Sequence, residues 1–138
     1  MGMTVTLDRM VHTIAVHHDL GKEIPLEGCC VAGGTARDLN PIDLMAMGLG
    51  SCLIIMMAEA AQTKGIDLTG TWADTSYDLK DFRVGNLTVT IHSPYSPATG
   101  DEKRFLEEQS RQCPVYLVVK DGTDVRVAFD WGSSARPS

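Results

Sequence analysis

The sequence has no cluster of basic residues and is acidic overall. Twelve Lys and Arg stand against 18 Asp and Glu, which leaves a net charge of −6 at neutral pH over 138 residues. A protein that follows a nucleic-acid backbone needs a concentrated positive surface. We therefore do not expect a nucleic-acid partner.

The sequence also lacks an uninterrupted apolar run of the ~20 residues that a membrane helix needs. Its most apolar stretch, residues 45–61, is broken by Gly48, Gly50 and Glu59. The N-terminal residues show neither the basic start nor the apolar core of a secretory signal. We expect a cytoplasmic protein without a membrane partner, folded as a single domain over residues 1–138.

The four cysteines and four histidines do not have the spacing of a zinc site. Cys29 and Cys30 are adjacent, so on a strand their side chains would point to opposite faces, and we interpret them as packing residues. A reducing cytosol keeps most thiols free, catalytic or redox-active rather than bridged. We predict no bound metal and no bound cofactor.

A long helix begins where Asn40 can cap it, Pro41 suits its first position and Asp43 favours the positive end of its dipole. Gly65 provides the matching stop, so the predicted helix covers residues 41–64. It is apolar on nearly all sides. Such a helix needs cover from strands or from a second subunit.

Two glycines in this helix, Gly48 and Gly50, directly precede Cys52. A glycine inside a helix costs about 0.5–1 kcal/mol relative to alanine, so we expect a neighbouring element to approach the backbone closely there. Helical spacing puts Cys52 on the same face as Met45 and Met56, and the thiol is expected to meet an apolar surface.

Alternation of apolar and polar residues predicts several strands around this helix. They are residues 4–7, 11–17, 23–31, 66–79, 84–92 and 124–131, with Pro25 confining the third strand to a sheet edge and a hairpin turn near Lys80. Residues 101–112 have the spacing of a second helix that ends beside Cys113. The β-branched residues 115–119 favour a further strand by propensity, and the fold class is α+β.

The pattern Asn40-Pro41-x-Asp43-Leu44, followed by Gly50-Ser51-Cys52 and later by Cys113-Pro114-Val115, resembles the OsmC/Ohr family. This family comprises the osmotically inducible protein C and the organic hydroperoxide resistance proteins, and the resemblance covers roughly residues 33–127. It implies antiparallel strands wrapped around a long central helix in an intertwined homodimer. It also favours a short helical turn over a strand after Pro114.

The resemblance implies a thiol-dependent peroxidase that acts on organic hydroperoxides. By position, Cys52 would attack the peroxide and become a sulfenic acid, and Cys113 would resolve it as an intramolecular disulfide. An external dithiol or a lipoylated partner would then restore the two thiols, so that no bound cofactor is needed.

A reactive thiolate at Cys52 needs a nearby cation, because the helix dipole fades within about one turn of the helix start. Arg37 is our first candidate, since it lies in the loop that leads into the helix; the others are Arg9, Lys22, Arg104 and Arg111. The best-characterised hydroperoxide reductases of the family have a glutamate directly after the Asn-Pro pair. Here that position is Ile42, and Asp43 points ~100° away from it, which indicates a divergent branch.

Two other functions fit the same residues. The chain could be a non-catalytic OsmC-like protein that binds an apolar small molecule in a pocket lined by methionines 45, 47, 56 and 57. It could also be a structural dimer in which the cysteines are buried and inert. Oxidation of the thiols by a hydroperoxide would distinguish the peroxidase from both.

Overall fold

A computed structural model describes residues 2–28, 35 and 37–134 of the chain. These residues form two compact units, Met1–Met45 and Ala46–Ser138. Cys29 and Cys30 lie outside the described residues, as does the predicted end of the third strand at residue 31. The α+β class is confirmed, whereas a single domain over the whole chain stays a prediction.

The first unit contains a three-stranded antiparallel meander of β1 (Met3–Arg9), β2 (His12–His17) and β3 (Lys22–Glu27), in that order. Because β2 lies in the middle, β3 is an edge strand, and the edge position predicted from Pro25 is confirmed. The third strand ends at Glu27, and Gly28 lies outside it. There the chain pairs with a later segment, since the Glu27 N–H donates to the Leu39 carbonyl at 3.0 Å.

The long helix, α1 (Pro41–Gln62), begins at the predicted residue. Asn40 Oδ1 accepts hydrogen bonds from the N–H groups of Ile42 at 2.8 Å and Asp43 at 2.9 Å, and Asp43 Oδ2 accepts from Asn40 N at 3.1 Å. These bonds satisfy backbone donors that have no partner within the helix. The helix ends two residues before the predicted position, and Gly65 follows with φ of 69°.

Only one face of α1 is buried within the single chain. Its buried residues follow helical spacing and are Ala46, Leu49, Gly50, Leu53, Met57 and Ala61. Met47 and Ile55 lie on another face and are 44% and 52% exposed. By length and composition α1 could also cross a membrane, but the core helix of a soluble protein passes the same test.

Close approach to the helix backbone occurs at Gly50 but not at Gly48. A Cβ atom added at Gly50 would lie 3.0 Å from Cγ2 of Thr75, whereas one added at Gly48 would meet no atom within 4 Å. Within the single chain the predicted close approach is therefore present at Gly50 and not at Gly48. The approaching side chains at Gly50 are those of Ala73 and Thr75.

The second unit also contains a three-stranded sheet, ordered β4 (Trp72–Lys80), β5 (Arg83–Ser93) and β6 (Asp124–Trp131). β4 and β5 form the predicted hairpin, and β5 pairs with β6 in parallel. The first of these strands begins at Trp72 and not at residue 66. In the preceding segment Asp67 Oδ1 accepts from both N and Oγ1 of Thr69, which holds the chain in a turn.

Two helices separate β5 from β6: α2 (Gly100–Ser110) and the short α3 (Pro114–Val119). The strand predicted by propensity over residues 115–119 is wrong, and the helical turn implied by the family resemblance is correct. Pro114 occupies the start of α3, and the Leu117 N–H donates to the Cys113 carbonyl at 3.0 Å. These local contacts outweigh the weak strand preference of β-branched residues.

Candidate functional site

Cys52 lies near the middle of α1 and is a half-buried free thiol. The same helix contributes Leu49, Leu53, Met57 and Ala61 to the core, each 0% exposed. Cys52 is thus less buried than the core residues of its own helix.

Cys113 is a completely buried free thiol between α2 and α3. It is the N-cap of α3, and its Sγ accepts a hydrogen bond from the Tyr116 N–H at 3.3 Å. Burial and the neighbouring Cys52 thiol raise the pKa of Cys113 to about 11. Cys113 is consequently a neutral thiol at physiological pH, and it is a poor nucleophile toward peroxide.

The structure brings the two predicted cysteines together. The Cys52 and Cys113 side chains lie near enough to each other for the Cys52 thiol to raise the pKa of Cys113, although the two residues are far apart in the sequence. Two neighbouring thiols are what sulfenic-acid formation on one sulfur and capture by the other require.

Ser110 is a residue of this site that the sequence did not single out. Its side chain is 0% exposed, and its Oγ donates a hydrogen bond at 2.9 Å to the carbonyl of Leu53, the residue after Cys52. The helical spacing of Leu106 and Ser110 on the inward face of α2 was the available signal. A serine at an inward position must find a buried partner.

Arg37, the predicted activating cation, lies in the first unit, whereas both cysteines lie in the second. Its side chain is exposed, and its backbone N–H donates to Glu27 Oε1 at 2.8 Å. Its role toward Cys52 stays a prediction. Two of the other candidate cations have partners elsewhere: Arg104 pairs with Asp101 at 3.0 Å, and Arg111 lies over the Phe129 ring.

Glu27 organises the loop that carries Arg37, and sequence reasoning missed it. The carboxylate is 5% exposed and accepts hydrogen bonds from Thr35 N, Thr35 Oγ1, Arg37 N and Asp38 N. These donors, the Thr35 N–H first among them, lower the pKa of Glu27 to about 2 against the opposing effect of burial. His12 Nε2 lies 3.1 Å from the same carboxylate.

A separate cavity of about 280 Å³ lies beside α1 in the second unit. Its lining comes from Ile54, Ala58 and Gln62 of the helix and from residues 66–71, and includes neither cysteine nor methionine. Within the described part of the chain, no three His, Cys, Asp or Glu side chains come together as metal ligands. The thiol pair is therefore the chemically distinctive group of this unit.

Comparison with known proteins agrees with the geometry. The sequence profile of OsmC-like proteins matches residues 34–128. No curated protein matches the sequence at a significant level.

Solved structures with the same fold share little sequence with the chain. A candidate osmotic stress induced and detoxification response protein of Psychrobacter arcticus is 22% identical over 92% of this chain and 93% of its own, with a TM-score of 0.82. An OsmC-like protein of Mycoplasma pneumoniae is 17% identical over 96% of both chains, with a TM-score of 0.78. The organic hydroperoxide resistance protein OhrB of Bacillus subtilis is 15% identical over 94% of this chain and 98% of its own, with a TM-score of 0.67.

Proposed function

Since the chain belongs to the family of OsmC-like proteins, we propose that it reduces organic hydroperoxides with Cys52 as the attacking thiol and Cys113 as the resolving thiol. The observation that carries this proposal is the proximity of two free cysteines from distant parts of the sequence, close enough that one raises the pKa of the other. The names of structural relatives from Bacillus subtilis and Elizabethkingia anophelis, both organic hydroperoxide resistance proteins, support the substrate class.

In the first step only Cys52 reacts with the peroxide. The Cys52 thiolate attacks the outer oxygen of R–OOH, the O–O bond breaks, and the departing alkoxide takes a proton to become R–OH. Cys52 is then a sulfenic acid. The raised pKa of Cys113 keeps its proton in place, and its burial hides it from the peroxide, so Cys113 does not compete in this step.

In the second step the Cys113 sulfur attacks the sulfur of the Cys52 sulfenic acid. The S–O bond breaks, an S–S bond forms, and the thiol proton leaves with the hydroxyl group as water. An external dithiol, such as a lipoylated partner, then reduces the disulfide and is itself oxidised to a disulfide. The cycle needs no bound cofactor, and it suits the reducing cytoplasm.

Activation of the Cys52 thiolate is assigned to Arg37 in this proposal. Three of the donors around Glu27 are backbone N–H groups of residues 35, 37 and 38, so the carboxylate holds the backbone at Arg37 and at its described neighbours. Ile42 takes the place of the glutamate that the resemblance leads one to expect. In this proposal Glu27 restrains the position of Arg37 through its backbone N–H and does not pair with the guanidinium group.

A homodimer is also part of the proposal. On β1, Met3, Val5 and Leu7 share one face of the strand and are 73%, 64% and 66% exposed. In the second unit, Met47 and Ile55 of α1 are likewise uncovered. A soluble protein seldom leaves such apolar faces open, and a second copy of the chain would cover them. Light scattering coupled to size exclusion tests this, and a monomer at micromolar concentration would refute the dimer.

The peroxidase is tested by mass spectrometry after treatment with one equivalent of cumene hydroperoxide. We expect prompt loss of two hydrogens and a cross-linked peptide that contains Cys52 and Cys113. In Cys52→Ser no disulfide should form. In Cys113→Ser the Cys52 sulfenic acid should accumulate and react with dimedone.

Unchanged thiols after this treatment would refute the peroxidase and leave the two non-catalytic functions. Thermal stabilisation by an added apolar compound would then favour a binding protein. Its absence would favour a structural dimer.

A further inference from the structure

We propose that Ser110 is a positioning residue that holds Cys113 in place for disulfide formation with Cys52. This inference rests on the proposed function and names a residue that tunes its second step. Ser110 touches neither sulfur in the hydrogen bonds observed; it acts through the backbone on both sides of the pair.

The first connection runs from Ser110 to α1. Ser110 Oγ donates at 2.9 Å to the carbonyl of Leu53, whose amide nitrogen is bonded directly to Cys52. A carbonyl in the middle of a helix already accepts an intrahelical hydrogen bond, so it does not need this second donor. The bond therefore adds a specific link between α2 and the backbone that carries the attacking thiol.

The second connection runs from Ser110 to Cys113. The Cys113 N–H donates to the Ser110 carbonyl at 3.2 Å, and the Gln112 N–H donates to the Gln109 carbonyl at 3.1 Å. These bonds hold the three residues after α2 in a tight turn. The backbone of Cys52 and the backbone of Cys113 are thus joined through one serine by two hydrogen bonds.

The rest of α2 is held to the unit by contacts earlier in the helix. Trp131 Nε1 donates to Glu107 Oε2 at 3.0 Å, and Lys64 Nζ lies 4.4 Å from the centre of the Phe105 ring. After α2, Arg111 lies 5.2 Å from the centre of the Phe129 ring. Ser110, completely buried, adds the hydrogen bond that links the end of α2 to α1.

A fixed distance between the sulfurs matters because disulfide geometry is narrow, with Cα atoms usually about 4.4–6.8 Å apart. A loosely held segment samples many separations, and its thiol then acts at a low effective concentration. Removal of the Ser110 hydroxyl should widen the range of separations in the reduced protein. The disulfide should consequently form less favourably.

The test measures the disulfide equilibrium with dithiothreitol and needs no peroxide. In this exchange the two thiols of the protein give up two hydrogens to oxidised dithiothreitol, which becomes the reduced dithiol. We expect the equilibrium constant for the Cys52–Cys113 disulfide to fall roughly three- to tenfold in Ser110→Ala, the effect of losing about one hydrogen bond.

The matched control is Ser93→Ala. Ser93 is 1% exposed in the same unit, and its Oγ is bonded to Thr71 Oγ1 at 2.8 Å rather than to the segments that carry the cysteines. Its equilibrium constant should stay within about twofold of the wild-type value. An equal fall in both variants would overturn the inference, because it would reflect general destabilisation.

A second pair of variants covers the case in which Ser110→Ala does not fold. Ser110→Thr and Ser110→Val have nearly the same shape and differ in the hydroxyl group. The threonine variant should keep a higher equilibrium constant than the valine variant. Equal constants would overturn the inference while leaving the proposed function intact, whereas a wild-type protein that forms no Cys52–Cys113 disulfide would refute the proposed function itself.

Discussion

Two buried ionisable groups, Glu27 in the first unit and Cys113 in the second, have pKa values shifted in opposite directions, although burial by itself would raise both. The pKa of Glu27 is lowered to about 2, so the carboxylate stays charged despite its burial. The pKa of Cys113 is raised to about 11, so the thiol stays neutral. At Glu27 the hydrogen-bond donors outweigh the effect of burial on the pKa, and at Cys113 they do not.

The donors differ in number and in strength. Glu27 accepts from three backbone N–H groups and one hydroxyl. Cys113 accepts from the Tyr116 N–H at 3.3 Å, and the neighbouring Cys52 thiol raises its pKa further. Four donors outweigh the cost of burying a carboxylate, whereas the donors around the sulfur do not outweigh burial of a thiolate.

The largest expected effect is on the reactivity of Cys113. At neutral pH a thiol with a pKa of about 11 carries far less thiolate than an ordinary cysteine, so alkylation of Cys113 by iodoacetamide should be roughly 100-fold slower in the native protein than in urea. Peptide mapping after timed alkylation measures both rates.

The control for this prediction is Cys52→Ala. Burial is the largest cause of the raised pKa and the Cys52 thiol is the second, so Cys113 should remain slow in this variant. Fast alkylation of Cys113 in the folded Cys52→Ala protein would show that the neighbouring thiol, and not burial, controls it.

The next effect is the loss of stability when Glu27 is replaced by Gln. Glutamine has one acceptor oxygen and brings an NH₂ group toward four donors, so several backbone N–H groups would lose their partner. We expect the thermal midpoint to fall by several degrees. Glu23→Gln, at an exposed position of β3, is the matched control and should change it little.

A dependence of stability on pH should separate the two regions. Glu27 has a lower pKa folded than unfolded, so its contribution is present above pH ~4.3 and is lost as the pH falls toward about 2. Cys113 has a higher pKa folded, so its contribution is present below pH ~8.5 and is lost as the pH rises toward about 11.

Urea unfolding across the pH range measures both effects. In Glu27→Gln the loss of stability at acidic pH should be smaller than in the wild-type protein, and the loss at alkaline pH should be unchanged. In Cys113→Ser the loss at alkaline pH should be smaller, and the loss at acidic pH should be unchanged. The proposed contrast between the two regions is refuted if Glu27→Gln loses as much stability at acidic pH as the wild-type protein does. It is also refuted if Cys113→Ser loses as much stability at alkaline pH as the wild-type protein does.

The smallest effect is expected at Asn40, a neutral side chain that accepts from two backbone N–H groups at the start of α1. Asn40→Ala should lower the free energy of unfolding by about 1 kcal/mol, which is ordinary for a helix cap. Chemical denaturation measures this value. If Asn40→Ala lowered the free energy of unfolding more than Glu27→Gln does, charge and number of donors would not explain how strongly these acceptor side chains stabilise the protein.

The sequence correctly predicted those features of the structure that depend on residues close together in the chain. The start of α1 depends on Asn40, Pro41 and Asp43, which are adjacent, and the hairpin of the second unit depends on alternation within its strands. The strand predicted over residues 115–119 is wrong because Pro114 begins a helical turn there, which outweighs β-branched propensity. The predicted strand start at residue 66 is wrong because Asp67 accepts from the Thr69 N–H and holds a turn.

By itself the sequence determined the family, the start of the long helix and the two cysteines to examine, because motifs and capping residues act over a few positions. Only the tertiary structure decided that Cys52 lies near Cys113, that Ser110 donates to Leu53, and that the backbone N–H of Arg37 donates to Glu27. Those contacts join residues that are far apart in the sequence, so no helical or strand periodicity predicts them. Burial and donor number, which set their chemistry, exist only once the chain has folded.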